Sequence, residues 1–210
     1  LIHAQGDKNA LRSALFRVIK ESGKNATPSL IAQLEREALQ SQDYDLLIES
    51  LRLRLGLEEV SASAIRERKF KHRSKDVGYL AYKLGWLLER RASGQANEQA
   101  QNEAAFEAYL VANYCLANER FVLMRIVSLA RKLEAYSHVR RALKQLAARS
   151  NDHNESASLW YQSGLVALYL EGDSQEAKLA LNRAIELSPT FTPALAKLGE
   201  LALEAGDMSS

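Results

Sequence analysis

The chain has 210 residues, 47% hydrophobic and 26% charged, with ten glycines and three prolines; this balance suits a folded domain and argues against disorder or a turn-rich all-β fold. No run of about 18 apolar residues is present, which excludes a simple membrane-spanning segment, and the single cysteine, Cys115, cannot close an intramolecular disulfide. The net charge of +2 is banded, with +6 over residues 52–91, −4 over 92–119, +7 over 120–149 and −6 over 150–210, so a linear array of helices is expected to carry a basic middle and an acidic C-terminal end.

Abundant Ala, Leu, Glu, Arg and Lys predict helices throughout and no strands. Gly6-Asp7 with Leu11, Leu15 and Val18 reads as the second helix of a pair that lacks its first. Thr27-Pro28 opens the next helix, with Ile31, Leu34 and Ala38 on its apolar face. Gln42 to Asp45 form a turn before a helix carrying Leu47 and Leu51. Residues 58–74 break the spacing and read as a helix extension or an inserted basic helix. Ala81, Leu84, Gly85 and Leu88 then mark a first helix, Ser93 to Gln101 a lengthened turn, and Ala105, Tyr109 and Ala112 a second helix.

Leu123, Ile126 and Ala130 repeat the first-helix pattern, and Val139, Leu143 and Leu146 repeat the second, 34 residues after Ala105, Tyr109 and Ala112. The following second-helix set, Ala177, Leu181 and Ala184, stands 38 residues further on. The polar stretch from Ser150 to Ser156 absorbs the extra four. Trp160, Gly164 and Ala167 form the intervening first helix, Gly172-Asp173 its turn, and Pro189 ends the pair. Leu195, Leu198, Gly199 and Ala202 open one more first helix before Gly206-Asp207, 34 residues after Gly172-Asp173, and no second helix follows. Self-similarity at this period is the mark of stacked helix pairs. Small residues at Gly85, Gly164, Gly199, Ala105 and Ala177 let paired helices approach closely. Glu35 and Val127 stand where the glycine is expected, so their pairs should be the least regular.

Residues 156–207, with the spacing W-x3-G-x2-A then A-x3-L-x2-A and Pro189, resemble the tetratricopeptide repeat family; residues 75–149 resemble it in degenerate form, and 28–57 by register. The resemblance implies an all-α helical-repeat solenoid, a right-handed superhelix of antiparallel helix pairs forming one domain over 1–210. Beginning and ending mid-repeat, it reads as a fragment of a longer protein. The resemblance also implies a non-catalytic scaffold or adaptor that binds a peptide or partner helix in a concave groove lined by first helices. Carried onto this chain, the groove comprises Tyr82, Trp86 and Glu89, then Met124, Ser128 and Arg131, then Tyr161, Leu165 and Leu168, with Arg125 and Lys197 available to acidic groups. The Lys and Asn pattern by which some members grip C-terminal carboxylates is absent, since Tyr82, Trp86, Met124 and Ser128 occupy those positions. An amphipathic or acidic protein segment is the expected partner, in the cytoplasm; because the chain begins at Leu1 rather than Met, a periplasmic or secreted protein is also compatible.

The densest charge is Arg66, Arg68, Lys69, Phe70, Lys71, His72, Arg73 and Lys75. An aromatic among basics could neutralise phosphates and stack on a base, so a nucleic-acid-binding helical repeat using 66–75 and 120–149 is one alternative. A solvated helix face or a loop docked on acidic residues is the blander reading of the same run. Self-association through open solenoid ends is the other alternative. His3, His72, His138 and His153 lack metal-ligand spacing, and Cys115 has no adjacent partner. No metal or cofactor is expected. No nucleophile elbow, phosphate loop or dinucleotide fingerprint is present, and the neighbours Glu58 and Glu59 are expected on different sides of a helix, so no catalytic residue is assigned.

Overall fold

A computed structural model describes residues 10, 13, 14, 17, 21, 27–68, 70, 73–117 and 119–207, with 205 and 207 described by their backbone alone. Leu11, Leu15 and Val18 lie outside the described residues, as do His3, Gly6, Asp7, Lys69, Lys71 and His72. From residue 27 onward ten helices follow one another, and no strand occurs among the described residues. The fold is an all-α helical repeat in which consecutive helices pack in adjacent pairs.

The chain divides into two compact units, one ending at Leu116 and the other beginning at Ala117. In the first, α1 (Pro28–Gln40) pairs with α2 (Tyr44–Leu55), which packs on α4 (Lys75–Ala92), and α4 pairs with α5 (Glu98–Leu116). Pro28 sits at the start of α1, where its missing N–H costs nothing. Thr27 precedes it in extended geometry but makes no side-chain cap. The Asp43 carboxylate accepts the Leu46 N–H at 3.0 Å to start α2, and Gly56 ends it at φ 65°, a left-handed conformation that glycine adopts without strain.

Residues 58–74, which no repeat accommodates, contain a short helix, α3 (Ala62–Glu67), started by Ser61 accepting the Ala64 N–H at 3.2 Å and packed on α5. Glu58 and Glu59 are not helical, contrary to expectation; they lie in the bend before α3.

The second unit holds α6 (Arg120–Lys132), α7 (Tyr136–Arg149), α8 (His153–Leu170), α9 (Ser174–Leu187) and α10 (Thr192–Asp207), each packed on the next. The lengthened turns expected from the polar stretches are shorter than their composition suggests. Asp152 accepts the Asn154 N–H at 2.9 Å, so α8 is already helical from His153, and α5 is helical from Glu98, with Gln101 buried inside it.

The repeat positions are the core. Ala105, Tyr109, Ala112, Val139, Leu143, Leu146, Ala177, Leu181 and Ala184 are all buried, as are Leu84, Leu88, Leu123, Ile126, Ala130 and Ala167. A Cβ at Gly85 would stand 2.8 Å from the Tyr109 ring and 3.1 Å from the Ala105 carbonyl; at Gly164 it would stand 3.2 Å from Leu181. The small residues therefore set the distance between paired helices. Gly199 departs from this expectation, since nothing lies within 4 Å of its Cβ position. Leu195 and Ala202 beside it are exposed, and no helix among the described residues covers that side of α10. At the irregular position in α1, the Glu35 carboxylate accepts from Arg54 at 2.9 Å and from Lys83 at 3.2 Å, tying α1 to α2 and α4 by charge where a glycine would have tied them by contact.

Candidate partner-binding faces

In the second unit the first helices α6, α8 and α10 are joined directly. The Arg120 guanidinium donates to Glu155 at 2.6 Å between α6 and α8, and the Lys197 ammonium donates to the Tyr169 hydroxyl at 2.7 Å between α10 and α8. Arg120 and Glu155 hold each other charged: the guanidinium pKa is raised by the Glu155 hydrogen bond, and the carboxyl pKa is lowered first by that bond and then by the Ser150 hydroxyl.

Along these helices Met124 is 52% exposed and Tyr169 62% exposed. Ser128 and Arg131 are exposed, whereas Arg125 and Leu165 are half-buried. Tyr161 is half-buried too, its ring edge-on to Phe191 at 5.6 Å, and together with Leu168 it packs against the core of α8, α9 and α10. Part of the expected lining thus serves as wall rather than contact surface. Tyr169, which sequence reasoning passed over, is the most open aromatic of the face. Its signal was present, since Tyr161, Leu165 and Tyr169 recur every fourth residue along one side of α8.

Tyr82 and Trp86 belong to the first unit. The Tyr82 ring lies 5.6 Å from that of buried Tyr109, tilted by 49°, and the Tyr109 hydroxyl donates to Glu89 at 2.5 Å. The Arg90 guanidinium stands 5.4 Å from the rings of both Trp86 and Tyr44, clasping α4 to the start of α2. Both side chains are half-buried and engaged with neighbouring helices.

Three described residues of the basic segment, Arg66, Arg68 and Arg73, are engaged within their own unit. Arg66 donates to Glu107 at 2.8 and 2.6 Å, a pairing that raises its pKa. Arg68 donates to the Leu55 carbonyl at 3.4 Å, and Arg73 lies 4.6 Å from the Tyr114 ring. Lys75 is exposed at the start of α4. In the second unit the basic band of α7 meets the acidic band that follows it. Arg140 donates to Glu171 at 2.5 Å and lies 3.3 Å from Glu176, which also takes the Lys144 ammonium, while Arg149 donates to the Ala117 carbonyl at 3.0 Å.

A cleft of about 650 Å³ in the first unit gathers Asp43, Asp45, Glu49, Glu58 and Glu59. Arg91 pairs with Asp45 at 3.1 Å, and Arg52 pairs with Glu49 and donates to the Leu57 and Glu58 carbonyls at 2.7 and 2.8 Å. These contacts neutralise the acids in part. Among the described residues no group of three or more His, Cys, Asp and Glu is placed to hold a metal ion, and no helix is long and apolar enough to cross a membrane. Cys115 is buried, and desolvation raises the pKa of its thiol.

No family model and no curated protein sequence matches the chain. A solved structure, the crystal structure of MamA protein, is similar over 89% of this chain and 86% of that one, at 16% identity and a TM-score of 0.42. A likeness of that degree carries no weight for fold or function.

Proposed function

We propose that the protein is a non-catalytic, tetratricopeptide-like interaction scaffold, and that the first-helix face of the second unit binds an apolar or amphipathic segment of a partner protein. The observation that carries this reading is the exposure of Met124 on α6 and of Tyr169 on α8, the latter in helical register with half-buried Tyr161 and Leu165, on helices that are bonded to one another. Burying a polarisable thioether and an amphipathic ring supplies affinity without demanding one geometry, which suits a helix or extended peptide. Arg131 at the α6 edge favours an acidic side chain on that segment.

Photo-crosslinking groups placed singly at Met124, Tyr169 and Arg141 test the reading in native extract. Crosslinks from the first two to one partner segment, with none from exposed Arg141 on α7, are expected. Equal labelling from all three positions would refute a defined face. The nucleic-acid alternative is disfavoured by the internal pairing of Arg66, Arg120, Arg140 and Lys144.

A further inference from the structure

Among the described residues two carry sulfur, and the fold treats them oppositely. Cys115 of α5 is buried, and its thiol pKa is raised, chiefly by desolvation. A thiol reacts with oxidants as its thiolate, so a buried group that keeps its proton is inert. Met124 of α6 is 52% exposed. A thioether needs no deprotonation, so exposure alone admits the oxidant.

The surroundings of Met124 separate its chemistry from folding. Val122, Leu123, Ile126, Leu129 and Ala130 are the buried residues of α6 and lie on its other side. Phe121, three residues before Met124, and Ser128, four after it, are exposed on the same side. No methionine is among the buried core residues of the described chain. An oxygen added to the Met124 sulfur therefore meets water and disturbs no packing. Its effect on binding is the opposite. A thioether gives a partner an apolar contact that adapts to its shape, whereas a sulfoxide is polar and chiral. Covering the sulfoxide strips an acceptor of water, and an apolar partner surface returns no donor to it.

We infer, on the reading of that face proposed above, that Met124 is its oxidation switch: a peroxide converts the thioether to the sulfoxide and weakens the hold on the partner segment about tenfold or more. In the step, a sulfur lone pair attacks one oxygen of hydrogen peroxide, an S–O bond forms and the O–O bond breaks. The oxygen now on sulfur gives its proton to the departing hydroxide, which leaves as water. Sulfur is oxidised by two electrons and the peroxide is reduced by two. Enzymatic reduction of the sulfoxide reverses the change.

The 210-residue chain is tested with a photo-crosslinking group at Tyr169 and with Met208, which lies outside the described residues, replaced as Met208→Leu, so that Met124 is the one methionine left. Dilute hydrogen peroxide, destroyed by catalase before native extract is added, should place one oxygen on Met124 and none on Cys115 by peptide mass mapping, with an unchanged circular dichroism spectrum. The crosslink from position 169 to its partner segment should fall about tenfold in dilute extract and return after treatment with methionine sulfoxide reductases. Met124→Leu, apolar and of similar size, should crosslink equally before and after peroxide, and Met124→Gln should crosslink weakly in both. Undiminished crosslinking after complete oxidation of Met124, an equal loss in Met124→Leu, or oxidation of Cys115 as fast as Met124 would each overturn the switch while leaving the face in place. No defined crosslink from the untreated chain would refute the face itself, and the switch with it.

Discussion

At the scale of single residues, one amino acid type has opposite value at two repeat-equivalent positions. Gly85 sits under the Tyr109 ring, which is held in place by the Glu89 carboxylate, so an added methyl has no space to enter. Gly85→Ala is expected to lower stability by about 1–3 kcal/mol through overpacking, in spite of alanine's better helix propensity. Gly199→Ala meets nothing and should gain about 0.5–1 kcal/mol from propensity alone. Urea unfolding at low micromolar protein concentration reads both, and midpoint shifts of the same sign would contradict the packing account. Glu155 provides a pH test. Its folded pKa lies below the ordinary value of 4.5 because Arg120 and Ser150 bond to the carboxylate, so its contribution is fully present above that value and is lost as the pH falls through the lower one. Glu155→Gln should therefore melt below the parent chain at pH 7, with the gap closing as the pH falls below the ordinary carboxylate range; a gap constant with pH would remove the ion pair as its cause.

At the scale of elements, the turn between paired helices keeps one conformation while its sequence changes. Gly172 before α9 has φ 71°, Glu134 before α7 has φ 54°, and Gln42 before α2 has φ 54°. Only the first was legible as a glycine turn. Glu134→Gly should relieve a left-handed non-glycine residue worth about 1–2 kcal/mol, partly offset by greater freedom of the unfolded chain, and should raise the melting temperature; a fall would show that the Glu134 side chain contributes more than its backbone costs. Helices α4 to α10 were readable because their packing residues recur at helical spacing, and those from Leu84 to Ala184 are buried apart from half-buried Trp160. Helix α3 was readable only as one of two alternatives, an inserted helix somewhere within 58–74, and not in its bounds. Six residues with one buried side chain, Ile65, hold no periodicity, and the helix exists because Ser61 caps it and α5 receives it. Tyr161 was readable as an aromatic on the first-helix face, but sequence spacing could not show that Phe191, in the loop before α10, would take one edge of its ring.

At the scale of the whole molecule, the charge bands of the sequence are chiefly a device for internal pairing. A basic stretch followed by an acidic one suggested a surface that steers an acidic partner, yet Arg120, Arg140 and Lys144 each meet an acid from a later helix of the same unit. Arg140, Lys144, Glu171 and Glu176 are all partly sheltered from solvent, so salt screens them less than it screens exposed pairs. Linear sequence shows that charge is segregated, but not which segments will face each other, and for that reason the basic candidates looked freer than they are. The consequence is measurable with a polyanion. With a net charge of only +2 and Arg66, Arg120, Arg140 and Lys144 of its basic bands paired, the chain should bind heparin weakly and with a shallow salt dependence, because few counterions are released. Replacing Glu171 and Glu176 together by Gln removes two negative charges and frees Arg140 and Lys144, which should steepen the slope of log affinity against log salt by about 1–2. Tight heparin binding by the parent chain, left unchanged by the double replacement, would mean that an unpaired basic surface exists elsewhere and would return nucleic acid to first place among the partners.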